Sequence, residues 1–186
     1  MPVHASTIHL VTLSRIYLAG PDVFRPDAAA WGRHLRTLCA AHGFEGVFPL
    51  DESLPGDLGS PQAVARRIYE ANIAHIDACD AVLAHLNGFR GAEPDSGTCF
   101  EVGYAVARGK PVVGYVAEGG TLAERLRRLH PGLAGPEPGI DANGWAVEDF
   151  ALPLNLMLAV PCRVVVGDAA VGLRVLREVL RETGGL

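Results

Sequence analysis

Apolar positions along this chain follow two alternating rhythms. Short, nearly continuous apolar runs predict buried strands, and longer segments with apolar residues three and four apart predict helices. Ser14 to Ala19 predicts a strand, ended by Gly20-Pro21. Asp27 to His42 carries Ala30, Trp31, Leu35 and Leu38 at helical spacing, and Gly43 stops it. Gly46-Val47-Phe48 is a short strand before Pro49, and residues 51–59 are a Gly-, Pro- and Ser-rich loop. Ser60-Pro61 opens a second helix, with Ser as N-cap, running to about Ile76 with Val64, Ile68 and Ile76 on its stripe. Asp80 to Leu86 is a strand apolar on both faces, as in parallel sheets. Ser96 is expected to cap a helix over Gly97 to Arg108, and Pro111 to Val116 is the next strand.

This β-α-β-α-β-α-β order predicts a doubly wound, Rossmann- or flavodoxin-like α/β fold. About five parallel strands would be covered by helices on both faces. The second half is less regular. Leu122 to Leu129 has a short helix pattern inside a long Gly- and Pro-rich segment, 119–144. A loop of that length in a compact domain is expected to have a function of its own. Ala151 to Val160 is an apolar helix candidate. Asp168 to Glu182 closes the chain as an amphipathic helix with Val171, Val175, Leu176, Val179 and Leu180 inward. Met1 to Leu13 is expected to be a flexible extension, and 14–186 a single domain.

Composition narrows the class. The chain has 186 residues, 49% hydrophobic and 20% charged, enough for a buried core without metal or disulfide staples. The net charge of −5 and the lack of any basic block argue against nucleic-acid binding. Cys39, Cys79, Cys99 and Cys162 have no ligand spacing and are expected to be reduced thiols in apolar surroundings. His34, His42, His75, His85 and His130 have no partner spacing either, so they are expected to be structural or on the surface, with no metal. No transmembrane stretch and no secretory signal is visible, which predicts a cytoplasmic protein.

Ligands of parallel sheets bind at the carboxyl ends of strands. Here the first strand is followed by Gly20-Pro21-Asp22-Val23-Phe24. Neither a GxGxxG fingerprint nor a GxxxxGK[ST] phosphate loop occurs, and no cofactor is expected. The loop after the third strand places Asp95 before a helix N-terminus and Glu101 about a turn and a half inside. Asp95 could simply cap that helix, and Glu101 could be an ordinary solvated side chain. Two carboxylates near one strand-end cleft also suit glycosyl chemistry. Asn72 lies late in the second helix, where Asn is a mediocre helix former.

In order along the chain stand Arg15-Ile-Tyr-Leu-Ala-Gly-Pro-Asp-Val-Phe, Phe48-Pro-Leu-Asp and Cys79-Asp-Ala-Val. Glu93-Pro-Asp-Ser-Gly-Thr-Cys-Phe-Glu-Val-Gly-Tyr-Ala-Val-Ala-Arg-Gly-Lys-Pro-Val and Asn155-Leu-Met follow. Together these resemble the nucleoside 2-deoxyribosyltransferases, from about Arg15 to Val160, with Asp95 to Pro111 the most specific stretch. The resemblance implies that 2-deoxyribose moves between nucleobases by ping-pong double displacement, with weaker hydrolysis when no acceptor base is present. Glu101 would be the nucleophile that forms a covalent deoxyribosyl-enzyme. The missing 2′-hydroxyl would ease an oxocarbenium-like transition state. Asp95 would hydrogen-bond the base and help protonate it, and Tyr17 would orient Glu101. Gly20, Asp22, Phe24 and Asn72 would line the substrate site. Asn155, with Met157 beside it, would come from a neighbouring subunit to the sugar 5′-hydroxyl, in a homo-oligomer with shared sites, a dimer or hexamer. Substrates would be 2′-deoxynucleosides and free nucleobases.

Departures leave base preference open. Asn72 stands where some members carry Asp, and Glu52-Ser53 where some use a larger amide. Segment 119–144 has no counterpart. A 2′-deoxynucleoside 5′-monophosphate N-glycosidase and a non-catalytic nucleotide-binding module are the alternative readings.

Overall fold

The computed structural model describes residues 14–49, 59–137 and 139–184. The expected N-terminal extension, Asp51 and the Glu52-Ser53 position lie outside the described residues. Five strands, β1 (Ser14–Ala19), β2 (Phe44–Val47), β3 (Ala81–His85), β4 (Val112–Val116) and β5 (Arg163–Val166), form one sheet in the order β2-β1-β3-β4-β5. Every pairing is parallel. The predicted fold class is therefore observed.

Helices α1 (Ala28–Ala41), α2 (Pro61–Ala78), α3 (Ser96–Ala107), α4 (Leu122–Leu129), α5 (Leu156–Ala159) and α6 (Ala169–Glu182) complete the order. The two-residue period of a strand sends neighbouring side chains to opposite faces. Ile16 and Leu18 thus pack with Leu35, Cys39, Leu173, Leu176 and Leu180 of α1 and α6. Tyr17 and Ala19 pack instead with Ile76, Val102, Ala105 and Leu158 of α2, α3 and α5.

Several boundaries move for physical reasons. The N-cap of α3 is Asp95 rather than Ser96, because the Asp95 carboxylate accepts the Thr98 N–H at 3.0 Å. The helix expected over 151–160 shrinks to Leu156–Ala159. Ala151 has φ 55°, outside the helical region, and Pro153 disfavours a helical residue before it. Strand β5, absent from the sequence reading, is a four-residue edge strand. The α1 stripe runs through Ala28, Gly32, Leu35 and Cys39, leaving Ala30 exposed. Ile68 on α2 is likewise exposed.

In α6 the unpredicted Leu173 is fully buried. Gly172 beside it lets the helix approach the sheet, since a Cβ there would stand 2.6 Å from Leu83 Cδ1. Cys39, Cys79 and Cys162 are buried free thiols. Burial pushes Cys39 up to about 12 and the other two up to about 11, so all three remain thiols. No helix among the described residues is long and apolar enough to cross a membrane. Replacing Leu173 by Ala leaves a cavity between α6 and the sheet. We expect a loss of about 2–5 kcal/mol in urea unfolding, with the denaturant slope unchanged.

Candidate active site

Strand order reverses between the neighbours β1 and β3: after β1 the chain goes to β2 on one side, and after β3 to β4 on the other. Such a switch point opens a crevice at the carboxyl ends, because the two following loops diverge. The first loop is a 3-10 turn, Pro21–Phe24, and the second spans residues 86–95 and delivers the chain into α3.

Tyr17 emerges from β1 on the α3 face and is fully buried. Its hydroxyl donates to Glu101 Oε1 at 2.6 Å, joining strand to helix across 84 residues of sequence. Asn72 Nδ2, from α2, donates to the same oxygen at 3.3 Å. Both donors converge on Oε1, and Oε2 takes no hydrogen bond among the described residues. One carboxylate oxygen is thus anchored and the other is left without a hydrogen-bond partner among the described residues.

Burial pushes the Glu101 carboxyl up to about 7, the Tyr17 hydrogen bond pulls it down, and the nearby Asp95 charge pushes it up again. Burial, together with the Glu101 carboxylate, drives the Tyr17 hydroxyl far above its ordinary range. Tyr17 is therefore a permanent donor.

Asp95 caps α3, the first of its two expected uses. Oδ2 accepts from the Thr98 N–H and hydroxyl, at 3.0 and 3.2 Å, whereas Oδ1 takes no partner among the described residues. Thr98 is itself buried, which fixes the carboxylate at the helix start. The N-terminal end of a helix also favours negative charge.

Asp22 has a role that spacing did not reveal. Its carboxylate is buried and bonds His85 Nδ1 at 2.9 Å. His85 Nε2 meets Asn87 Nδ2 at 2.8 Å, and Asn87 Oδ1 accepts the Ala117 N–H at 2.7 Å. The Ala117 N–H fixes the Asn87 amide with nitrogen toward His85. His85 must then accept at Nε2 and donate from Nδ1 to Asp22. Gly20 is required by this packing, because a Cβ there would lie 2.8 Å from His85 Cβ. Asp22 and Gly20 thus shape the crevice from beneath. Phe24 stacks on Phe89 at 5.3 Å, and the Arg90 guanidinium lies over both rings, tying the two loops together. Asp22 is polar and buried and His85 ends a strand, but only the parallel β1–β3 pairing brings them together.

Asn155 caps α5 through Oδ1, which accepts the Met157 N–H at 3.0 Å. Its Nδ2 donates at 2.6 Å to Glu148, which also accepts the Leu156 N–H. Sequence reasoning missed Glu148. Asn155 and Asp95 of the same chain line one cavity, whereas the resemblance would give Asn155 to a neighbouring subunit. Met157 is 73% exposed. Among the described residues, no group of three or more His, Cys, Asp or Glu is placed to hold a metal ion.

Comparison with known proteins gives concordant matches. The family model described as nucleoside 2-deoxyribosyltransferase matches residues 16–157. A 2-desoxiribosyltransferase from Leishmania mexicana is 33% identical, with a TM-score of 0.71 over 89% of this chain and 97% of that one. A conserved protein from Enterococcus faecalis, 21% identical with a TM-score of 0.54, shares the fold over 89% of this chain and 99% of that one. An uncharacterized Schizosaccharomyces pombe protein is 36% identical over 114 residues, 60% of this chain. That match spans about half, 54%, of the relative's length.

The elevated Glu101 carboxyl has a consequence for stability. Its folded value of about 7 lies above the ordinary 4.5, so its protonated form favours the native state. That contribution is complete below about 4.5 and fades as pH rises through about 7. Above that pH, ionised Glu101 costs the fold on the order of 3 kcal/mol. Glu101→Gln should therefore raise the melting temperature at pH 8 and change it little at pH 5. Equal effects at the two pH values would contradict a buried, elevated carboxyl.

Proposed function

Because the chain belongs to the nucleoside 2-deoxyribosyltransferase family, we propose that it moves 2-deoxyribose between nucleobases by double displacement at Glu101. In the first half-reaction Glu101 Oε2 attacks C1′ and forms an ester bond to the sugar. The C1′–N bond breaks, its electron pair stays on the base nitrogen, and that nitrogen takes a proton that Asp95 has first accepted from solvent, which leaves Asp95 as the carboxylate again. In the second half, an acceptor base attacks C1′ with its own nitrogen, Glu101 leaves as carboxylate, and the surplus proton returns to Asp95. Water in place of the acceptor would give slower hydrolysis.

The observation that carries this reading is the convergence of Tyr17 and Asn72 on one oxygen of a half-shielded carboxylate. A nucleophile benefits when one oxygen is held and the other is free to approach an electrophile. The donors also stabilise the carboxylate as it is regenerated. The 5′-monophosphate N-glycosidase reading would need a cation at the first loop. Arg25 there pairs with Asp27 at 2.9 Å, Arg90 is stacked over Phe24 and Phe89, and Asp22 adds negative charge.

Incubation with deoxyinosine and adenine should yield deoxyadenosine and hypoxanthine. Hypoxanthine alone would leave a hydrolase and remove the transferase reading. A 2-fluorinated 2-deoxynucleoside should add one sugar mass to the peptide containing Glu101, and Glu101→Ala should abolish both results.

The partner of this chain is proposed to be a second copy. Tyr69, Phe100, Met157 and Val160 are all more than half exposed, on α2, on α3 and at α5. Tyr69 and Phe100 pack on each other, at 6.0 Å between rings. An apolar surface of this kind is ordinarily covered by a partner. Sedimentation should give a dimer or a multiple of it, and Phe100→Asp should shift the population toward monomer. A wild-type monomer at micromolar concentration would overturn the shared-site arrangement.

A further inference from the structure

Segment 119–144, which has no counterpart among the motifs of the resemblance, carries regular structure in its described residues. A capping box between Thr121 and Glu124 starts α4. After a 3-10 turn, Pro131–Leu133, the chain doubles back through two antiparallel bridges, Ala134 to Asp141 and Ile140 to Ala146. Asp141 Oδ1 accepts the N–H groups of Asn143 and Trp145, which holds the returning turn. Facing the 89–96 loop, this segment walls a cavity of about 700 Å³.

The two walls differ in character. Leu122, Leu126, Leu133 and Val147 form an apolar side. Glu93 and Asp95, from the 89–96 loop, and Asp141 and Glu148, from the returning chain, supply the carboxylates of the lining. Glu101, Tyr17 and Asn72 do not line the cavity, so the reacting carbon of a bound sugar would sit outside it. Asp95 belongs to both places, through the cavity wall and through its charge on Glu101. On the deoxyribosyl-transfer reading Asp95 reaches the base, which assigns the cavity to the base side; Asn155, the residue expected at a neighbour's sugar 5′-hydroxyl, lines it too. A bare nucleobase is much smaller than the ligands that fill pockets of roughly 300–1,000 Å³. Burial and the neighbouring Glu148 push the Glu93 carboxyl up, so this wall disfavours added negative charge.

We infer that this cavity extends the base subsite and accepts uncharged nucleobases that carry an apolar substituent. The substituent lies against Leu122, Leu126, Leu133 and Val147 while the base reaches Asp95 Oδ1. This inference rests on the deoxyribosyl-transfer reading for its substrate class, and its test separates the two.

Deoxyribosyl transfer from deoxyinosine is measured to adenine and to 6-benzylaminopurine. The wild type should use both, and Val147→Phe and Leu133→Trp should each lower the benzylated-to-plain ratio of kcat/KM by roughly 10-fold or more. The ratio is internal to each protein, so a general loss of fold or activity does not imitate it. Calorimetric titration with the same two bases reads the cavity without turnover. Tighter binding of the benzylated base, lost in both variants, supports the cavity even if no sugar moves, in which case the transfer reading alone fails. Normal transfer with an unchanged ratio overturns the cavity assignment. So does a change confined to donors substituted at the sugar 5′ position.

Discussion

The hydrogen bond from Tyr17 to Glu101 is the contact on which the rest of the site depends. It requires that β1 present Tyr17, not Ile16 or Leu18, to the α3 face, so it exists only in one register of strand and helix. It also operates where water is scarce. Burial alone would leave the Glu101 carboxyl largely protonated, and a protonated acid is a poor nucleophile. A hydroxyl that does not ionise offers a fixed donor to the charged form. The opposition of these two effects holds the carboxyl at about 7, where both protonation states are accessible.

The surrounding structure serves to keep the two loops of the switch point in place. Parallel strands cannot be joined by short turns, so each strand end opens into a loop that needs support from elsewhere. Two ties supply it. Below, Asp22, His85, Asn87 and the Ala117 N–H link the ends of β1, β3 and β4. Above, Phe24, Phe89 and Arg90 stack across the mouth. The lower tie uses a buried carboxylate whose Oδ2 is hydrogen-bonded to His85, which limits the cost of removing it from water.

The sequence was informative where chemistry and periodicity are local. Four strands, the α2 cap at Ser60 and the extent of α4 followed from apolar rhythm and capping residues a few positions apart. Glu101, Asp95 and Tyr17 were singled out because they stand in the runs that carry the resemblance, and Asn72 because Asn is a mediocre helix former; the fold brings Tyr17 and Asn72 onto Glu101. What escaped depends on distance or on competition. His85 gave no sign of its partner because 63 residues separate it from Asp22. The run 151–160 has a helical composition, but Pro153 and a left-handed Ala151 hold most of it out of the helix. Strand β5 is an edge strand with half-exposed residues, so it lacks the fully apolar signature of β3 and β4. Glu148 became meaningful only when the chain folded back onto Asn155.

The amide at position 72 sharpens the electrostatic logic of the site. A carboxylate there would set a third negative group beside Glu101 and Asp95, and repulsion would raise the Glu101 carboxyl further. Asn72 instead donates to Oε1, reinforcing the Tyr17 contact at no cost in charge. Among the described residues, its own Oδ1 is buried without a hydrogen-bond partner. A buried acceptor left unpaired costs free energy, and that cost is recovered when a donor arrives. Glu101 cannot be the donor while it is ionised, since only its protonated form has a hydrogen to give. The amide therefore has one settled end and one unsatisfied end. The settled end fixes the nucleophile, and the unsatisfied end favours whatever brings an N–H or O–H into the crevice, which nucleobases and deoxyribose both carry.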